Sequence, residues 1–600
     1  MGFFGRLKKE WLGLRGSLRT LRLITPIAKN PTRVFPYVFE DLARRHGSRE
    51  ALVSDKERFT YRELDQRANR YARWARAQGI GKGDVVALLM LNRAEYVAIW
   101  LGVTRAGGAV ALLNTNLSGS SLAHCINIVT PKALLVGQEL SGVLATARSM
   151  LTGGAAVWVH GDTAGNDARM DLMIEEFSGD SIPASERPAI TIEDKALFIY
   201  TSGTTGMPKA ANINHYRLMA MTHGYCGVMN VKPSDRMYDC LPMYHSNGGI
   251  LAIGAPLVGG ATVVIREKFS ARDFWDDVVR WDCTLVFYIG ELCRYLVNTP
   301  VSASEAKHRV RAFCGNGLRP DIWSEFKTRF RIPEILEWYA ATESNVAILN
   351  FDGTEGAVGR IAKWAERRFV VKVVRFDVET EQPVRGPDGL CIECEPGEVG
   401  EVVGQIINDP SKPANRFEGY ADKAATEKKI LRDAFAKGDA WFRTGDLMKK
   451  DKHGYFFFID RIGDTFRWKG ENVATSEVAE AINVFPGIKE TNVYGVSING
   501  RDGRAGMAAV VTDGRPLDMI ALRQHIERHL PEYARPVFIR VQPEIEVTGT
   551  FKQKKVELVR EGFDPAGIPN AIWFNNPETR RLDPLDADLY RRVQGGEIRL

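Results

Sequence analysis

The chain has 600 residues, of which 44% are apolar and 26% charged, ordinary proportions for a globular protein and too long for one ordinary domain. Its net charge of +6 resides in the first 30 residues, where Arg6, Lys8, Lys9, Arg15, Arg19, Arg22 and Lys29 face one acid, Glu10. The remainder is balanced, which argues against a basic body that tracks nucleic acid, and no run of about 18 apolar residues predicts a membrane-spanning helix.

Residues 3–21 place Phe3, Leu7, Trp11, Leu14, Leu18 and Leu21 at steps of four and three, an apolar stripe on a helix with basic residues largely between. Such a helix suits a membrane surface, with contact through residues 1–25, or equally a dock on the protein's own core. Gly13 and Gly16 weaken it, and Pro26 is expected to end it. The N-terminus lacks the continuous apolar core of a signal peptide, and Arg6 argues against myristoylation.

From Phe59 onward helices alternate with short apolar strands. Tyr61–Ala77 and Ala94–Arg105 read as helices; 85–91, 109–113, 133–136, 155–160 and 196–200 read as strands. That order predicts an α/β fold with largely parallel sheets. Gly79–Gly83 resembles a dinucleotide fingerprint but precedes a strand instead of following one. The eight cysteines mostly stand alone in apolar runs; Cys391 and Cys394 form one C-x-x-C without two further ligands nearby, so reduced thiols are expected. Near residue 460 the pattern changes to a compact α+β unit, with a helix from Ser476, strands at 491–496 and 508–512, and a helix over 517–530. His525 and His529 lie four apart with no Glu after His525, which disfavours a metalloprotease helix.

The segment with most chemical content is Tyr200-Thr201-Ser202-Gly203-Thr204-Thr205-Gly206-Met207-Pro208-Lys209, directly after a buried strand. Glycines let the backbone turn its N–H groups inward, hydroxyls add donors, and Lys209 adds charge, so the loop is built for phosphate oxygens. It is not a Walker A loop, which ends in Gly-Lys-Ser/Thr.

This loop resembles the phosphate-binding signature of the adenylate-forming enzymes: acyl-CoA synthetases, luciferases and peptide-synthetase adenylation domains. Gly315-Asn316-Gly317-Leu318-Arg319 looks like the family's adenine-facing segment. Tyr339-Ala340-Ala341-Thr342-Glu343 resembles the motif in which an aromatic stacks on adenine, Thr contacts phosphate and Glu binds magnesium; the family usually has Gly where this chain has Ala340. Trp441–Asp446 resembles the motif whose Asp holds the ribose hydroxyls, and Arg461 matches the arginine that also reaches the ribose. Four such motifs in order carry far more weight than any one.

Arg461–Val473, Leu112–Leu117, Leu530–Pro536 and Thr548–Lys552 are similar to the very-long-chain acyl-CoA synthetase and fatty acid transport protein group. The resemblance implies a large ATP/acyl-binding domain over 45–460, preceded by a basic segment, 1–44, and followed by a hinge at 461–464 and a small mobile α+β domain with its tail at 465–600. It implies ATP, coenzyme A and Mg2+ as cofactors, and an acyl-adenylate passed on to coenzyme A. Lys552, Thr204, Glu343 and His245 are the implied catalytic residues, with Lys554 and Lys555 competing with Lys552 and with His245 equally readable as structural. Glu343 is the implied metal ligand, and Trp468-Lys469-Gly470 would line the pantetheine tunnel after a domain rotation about Gly463. The expected substrate is a long- or very-long-chain fatty acid, with a cytoplasmic location on the inner face of a membrane. A CoA ligase for another carboxylate, such as a bile acid or carnitine-like acid, and a fatty acid transport or binding protein are the alternatives.

Overall fold

The computed structural model describes residues 3–163, 167–201, 207–366, 370–409, 413–501, 503–547 and 553–600. Two large sheets carry the parallel strands that the alternating pattern predicts. One has seven strands in the order 168–169, 156–160, 133–137, 85–89, 109–112, 195–201 and 209–214, parallel except for the last pair. The other has eight, in the order 347–350, 334–340, 312–316, 285–289, 236–239, 262–265, 50–53 and 58–60, with antiparallel pairs only at its two edges. The wholly apolar strands 85–89 and 109–112 are buried along their length, as expected where both faces are covered.

A third sheet, built from strands between Gly359 and Arg461, is antiparallel throughout and was not foreseen as such. It carries the two strands 440–450 and 455–461, which place Asp446 directly opposite Arg461. The C-terminal part has a five-stranded sheet, 488–496, 505–512, 538–541, 571–576 and 581–584. Its buried apolar residues, from Phe466 to Ile598, form a core of their own. Across the junction, Arg294 bonds Glu490 at 2.7 Å and the Lys489 carbonyl at 3.3 Å.

The N-terminal helix runs from Phe3 to Lys29 and does not stop at Pro26. Proline removes one intrahelical bond at a cost of about 3 kcal/mol in a helix interior. Here it lies in the last turn on the exposed side, where Asn30 Nδ2 donates to the Pro26 carbonyl at 2.9 Å. Docking supplies what propensity lacks. The helix packs against the His215–Met229 helix, where Arg19 donates to the Gly227 and Val228 carbonyls at 3.1 and 3.4 Å. Gly16 permits this seat, because a Cβ there would come within 2.3 Å of the Phe351 ring. One face is thus docked on the protein, yet Leu7, Trp11, Leu14 and Leu18 remain exposed, Trp11 at 61% and Leu18 at 58%. Among the described residues no helix is long and apolar enough to cross a membrane.

Candidate active site

The strand Lys195–Thr201 ends at the phosphate-type loop, and Lys209 opens the returning strand, paired with Thr201. Ser202, Gly203, Thr204, Thr205 and Gly206 lie outside the described residues. Tyr200 and Thr201 line a large cavity; the Tyr200 hydroxyl donates to the Cys125 carbonyl at 2.6 Å. The Lys209 ammonium stands 5.6 Å from the centre of the Tyr420 ring, and the Tyr420 hydroxyl donates to Glu343 Oε1 at 2.6 Å. Lys209, Tyr420 and Glu343 therefore meet at one place.

Glu343 follows the strand Glu334–Ala340. Ala340 is paired antiparallel with Ala347 and has no positive φ, so its position needs no glycine. The segment behind it is pinned by one residue that motif reading missed. Arg217, on the His215–Met229 helix, donates to the carbonyls of Thr342, Glu343 and Ser344 at 2.7, 3.2 and 2.6 Å. Burial lowers the Arg217 pKa, and Glu418 and Glu343 oppose the shift; a guanidinium stays charged regardless. With its carbonyl so engaged and one carboxylate oxygen held by Tyr420, Glu343 is turned into the cavity. Among the described residues no cluster of three or more His, Cys, Asp or Glu could hold a metal by itself. A single carboxylate fits magnesium, which keeps several waters and takes its other ligands from substrate phosphates.

The nucleoside side is built from Gly315, Asn316, Gly317, Tyr339, Asp446 and Arg461. Gly315 is obligatory, since a Cβ would lie 2.1 Å from the Tyr288 carbonyl oxygen. Gly317 has φ +82°, and its N–H donates to the buried Glu337 carboxylate, which also accepts from Tyr288. Burial pushes the Glu337 carboxyl up to about 8, against the opposing hydrogen bonds from Tyr288, Gly317 and Leu318. Asn316 Oδ1 accepts from Asn247 Nδ2 at 2.8 Å. The Tyr339 hydroxyl donates to Asp446, which is 3.9 Å from Arg461 Nε.

From the C-terminal part, Lys552 lies outside the described residues. Its neighbours Gln553 and Lys555 line the cavity. Lys555 Nζ is engaged, at 3.2 Å from Asp464 and 2.7 Å from Thr475 Oγ1, so it ties the 461–464 turn to the next helix. Lys554 pairs with Glu546 at 3.2 Å. Glu480, on the helix Thr475–Asn483, also reaches the cavity; burial pushes its carboxyl up to about 7, with Arg319 opposing. Trp468, Lys469 and Gly470 form the tip of a hairpin between 466–468 and 471–473, with positive φ at both turn residues. None of the three lines the cavity, and Lys469 pairs with Glu532 at 2.8 Å.

The cavity has a volume of about 1590 Å³ and joins these polar groups to an apolar arm along the His215–Met229 helix. His245 lines the cavity, its ring tilted by 55° against Tyr244 with ring centroids 4.5 Å apart. A π-helical turn, Asn247–Leu251, follows it, and Gly249 is required there because a Cβ would lie 1.9 Å from the Met243 carbonyl oxygen.

The AMP-binding enzyme family model matches residues 39–405, and the model of its C-terminal domain matches 477–552. The chain belongs to the AMP-binding enzyme family. Long-chain fatty acid transport protein 1 of Mus musculus is 41% identical over 573 residues, covering 94% of this chain and 88% of that protein. Long-chain fatty acid transport protein 2 of Rattus norvegicus is 40% identical, covering 95% and 92%. Among solved structures, an anthranilate CoA ligase in complex with anthranoyl-AMP superposes with a TM-score of 0.74 at 19% identity, covering 89% of this chain and 98% of that one. A Mycobacterium tuberculosis fatty acyl CoA synthetase superposes with a TM-score of 0.63 at 24% identity, covering 88% and 98%. These two establish the shared adenylate-forming fold.

As an adenylate-forming enzyme the protein is an AMP-forming acid–thiol ligase, of a class that uses ATP, coenzyme A and Mg2+. Within this AMP-binding enzyme, short motifs marked the residues expected to touch nucleotide. They left out Arg217, Glu337, Tyr420 and Glu480, which hold or flank those residues. Two had a readable signal: Arg217 is the sole Lys or Arg in its 15-residue helix, and Glu337 is an acid inside the buried run of a strand.

Proposed function

We propose that the protein is a long- or very-long-chain fatty acyl-CoA synthetase acting through an acyl-adenylate. The observation that carries this reading is the continuity of one cavity from Glu343, which Tyr420 holds, to an arm lined, beyond Arg217, by Ala220, Met221, Gly224, Tyr225 and Val228. That lining suits an alkyl chain better than a bile acid's hydroxyls or a carnitine-like cation.

In the first step a carboxylate oxygen attacks the α-phosphorus of ATP, and pyrophosphate leaves. Charge gathers on the phosphate oxygens, and donors placed beforehand offset it. Lys209 with residues 201–206 would hold the β- and γ-phosphates, Glu343 would hold magnesium, and Lys552 would meet the α-phosphate and the carboxylate. Magnesium, when bound, supplies charge neutralisation at the phosphates. Asp446 and Arg461 would position the ribose and keep the attack in line, with Gly315–Gly317 and Tyr339 on the adenine. In the second step the coenzyme A sulfur attacks the acyl carbon, AMP leaves, and the thiol proton passes to solvent.

Lys552 and the 468–470 hairpin serve different steps in this reading. That residues 468–470 do not line the cavity favours a C-terminal domain, 465–600, that turns about 461–464 between them. The exposed row Leu7, Trp11, Leu14 and Leu18, with exposed Lys8, Arg15 and Arg22 beside it, favours peripheral contact with an anionic membrane face. Vesicles rich in phosphatidylserine should co-sediment the intact chain and lose it when Trp11 and Leu18 are both changed to Ser; equal sedimentation would remove the membrane contact.

The deciding assay gives the purified protein ATP, magnesium and a carboxylate panel from medium to very long chains, with bile and carnitine-type acids, each with and without coenzyme A. AMP with CoA-dependent thioester from long chains is expected. Thioester only from another acid would move the specificity. Absence of AMP from every acid would sink the synthetase reading and favour a binding or transport role.

A further inference from the structure

The N-terminal helix precedes the 39–405 stretch that the family model matches, yet one of its faces lines the active-site cavity. On the His215–Met229 helix the lining positions are 217, 220, 221, 224, 225 and 228. On the N-terminal helix they are 20, 21, 24, 25 and 28. Both sets follow helical spacing and so form single faces. The two helices run antiparallel: a Cβ at Gly227 would lie 2.8 Å from Thr20 Cα, and one at Gly224 would lie 3.1 Å from Ile24 Cδ1. The two helices touch at these points, so their lining faces lie side by side along one passage. It begins at Arg217, beside the Glu343 segment, and continues to Val228, a helical rise of about 16 Å.

Two features separate this passage from ordinary helix packing. Protein interiors are close-packed, and an apolar arm of a cavity this size is space for something other than the chain's own side chains. The helix is also secured by groups that do not fill the passage. Lys9 donates to Thr354 at 2.7 Å, Glu10 pairs with Arg360, and Arg19 holds the end of the opposing helix. Its lining face is left open to the cavity, with Leu21, Ile24 and Ala28 only half-buried.

We propose that the N-terminal helix forms part of the wall of the acyl channel, with the alkyl chain lying along its Leu21, Ile24 and Ala28 and the adjoining Ala220, Met221 and Gly224 of the neighbouring helix. This rests on the long-chain reading above. It makes the N-terminal helix a determinant of acyl-chain length as well as a membrane-facing element.

The test uses the full-length protein. Ile24→Trp and Leu21→Trp should each lower kcat/KM for hexadecanoic acid by about tenfold, while hexanoic acid and the KM for ATP stay near wild type. Equal losses for both acids, or no loss for either, would overturn the channel wall. A second measurement needs neither turnover nor a variant. Hexadecanoic acid with a diazirine at its far end is bound to the wild-type protein with ATP, irradiated, and the adducts are mapped by mass spectrometry. Adducts within residues 20–28 and 220–228 are expected; adducts confined to other regions, or none, overturn the proposal. Labelling of the N-terminal helix without thioester formation would sink the synthetase reading and leave the wall standing. Thioester formation with labels elsewhere would do the reverse.

Discussion

The two ends of the cavity are built by different physics. At the nucleotide end, directional bonds fix each group: Arg217 holds three successive carbonyls, Tyr420 holds Glu343, Glu337 holds the Gly317 N–H, and Tyr339 holds Asp446. At the acyl end two antiparallel helices pack closely and present a largely apolar face. Directional sites accept few residue types and fail sharply when one is changed. Packed walls accept many residues of suitable volume and fail gradually. Substitutions at the nucleotide end should therefore act on all acids alike, and those at the acyl end on chain length.

The largest effect is expected at Glu343. Glu343→Gln keeps the shape and removes the charge that would hold magnesium, and should lower adenylation by about a hundredfold or more. ATP–pyrophosphate exchange across a magnesium titration measures it. Exchange near the wild-type rate would remove Glu343 from the metal site. Of similar size but confined to one step is Gly463→Pro, in the 461–464 turn. It should spare adenylation and cut transfer to coenzyme A by about a hundredfold, because proline fixes φ where a rotation is needed. Single-turnover assays of each half-reaction separate the two; equal losses would argue against a hinge here.

A smaller effect is expected at Arg217. Lysine cannot fork to three carbonyls from a planar head group, so Arg217→Lys should lower kcat/KM for ATP by about tenfold and leave the chain-length profile unchanged. A profile shifted toward short acids would instead assign Arg217 to the acyl arm and blur the contrast between the two ends.

The same contrast explains what the sequence disclosed. The strand-to-loop order at Tyr200 and the alternating helices and strands to residue 200 were legible because each depends on residue type at a fixed spacing, and Asp446 and Arg461 were legible through their resemblance to family motifs. The antiparallel sheet between Gly359 and Arg461 was not, because pairing direction follows from chain connections that short apolar runs do not encode. The helix end was misplaced at Pro26, since the local cost of proline is visible and the docking that outweighs it is not. Gly16 was read as a weakness, and it is the position where Phe351 needs room. Tyr420 touches Glu343 from 77 residues away, and no local pattern marks such a partner. The acyl arm is the extreme case, as its walls come from segments about 200 residues apart and carry no motif.

The smallest effect tests the polar end by pH. The Glu337 carboxyl is raised by burial from the ordinary 4.5 to about 8. Below about 4.5 both folded and unfolded chains hold this proton. Between the two values the unfolded chain releases it and the folded chain keeps it, so this contribution to stability declines as pH rises and is lost above about 8. Glu337→Gln removes the titration while its amide oxygen can still accept the Gly317 and Leu318 N–H groups. Thermal melting from pH 6 to pH 9 should therefore show the wild type losing stability relative to the variant, by on the order of 1.4 kcal/mol per pH unit at the steepest. Parallel melting curves would mean that Glu337 is ionised throughout, with the Tyr288 and backbone bonds outweighing burial. The KM for ATP should follow the same curve in the wild type alone, because the group that titrates also holds the loop expected to face adenine.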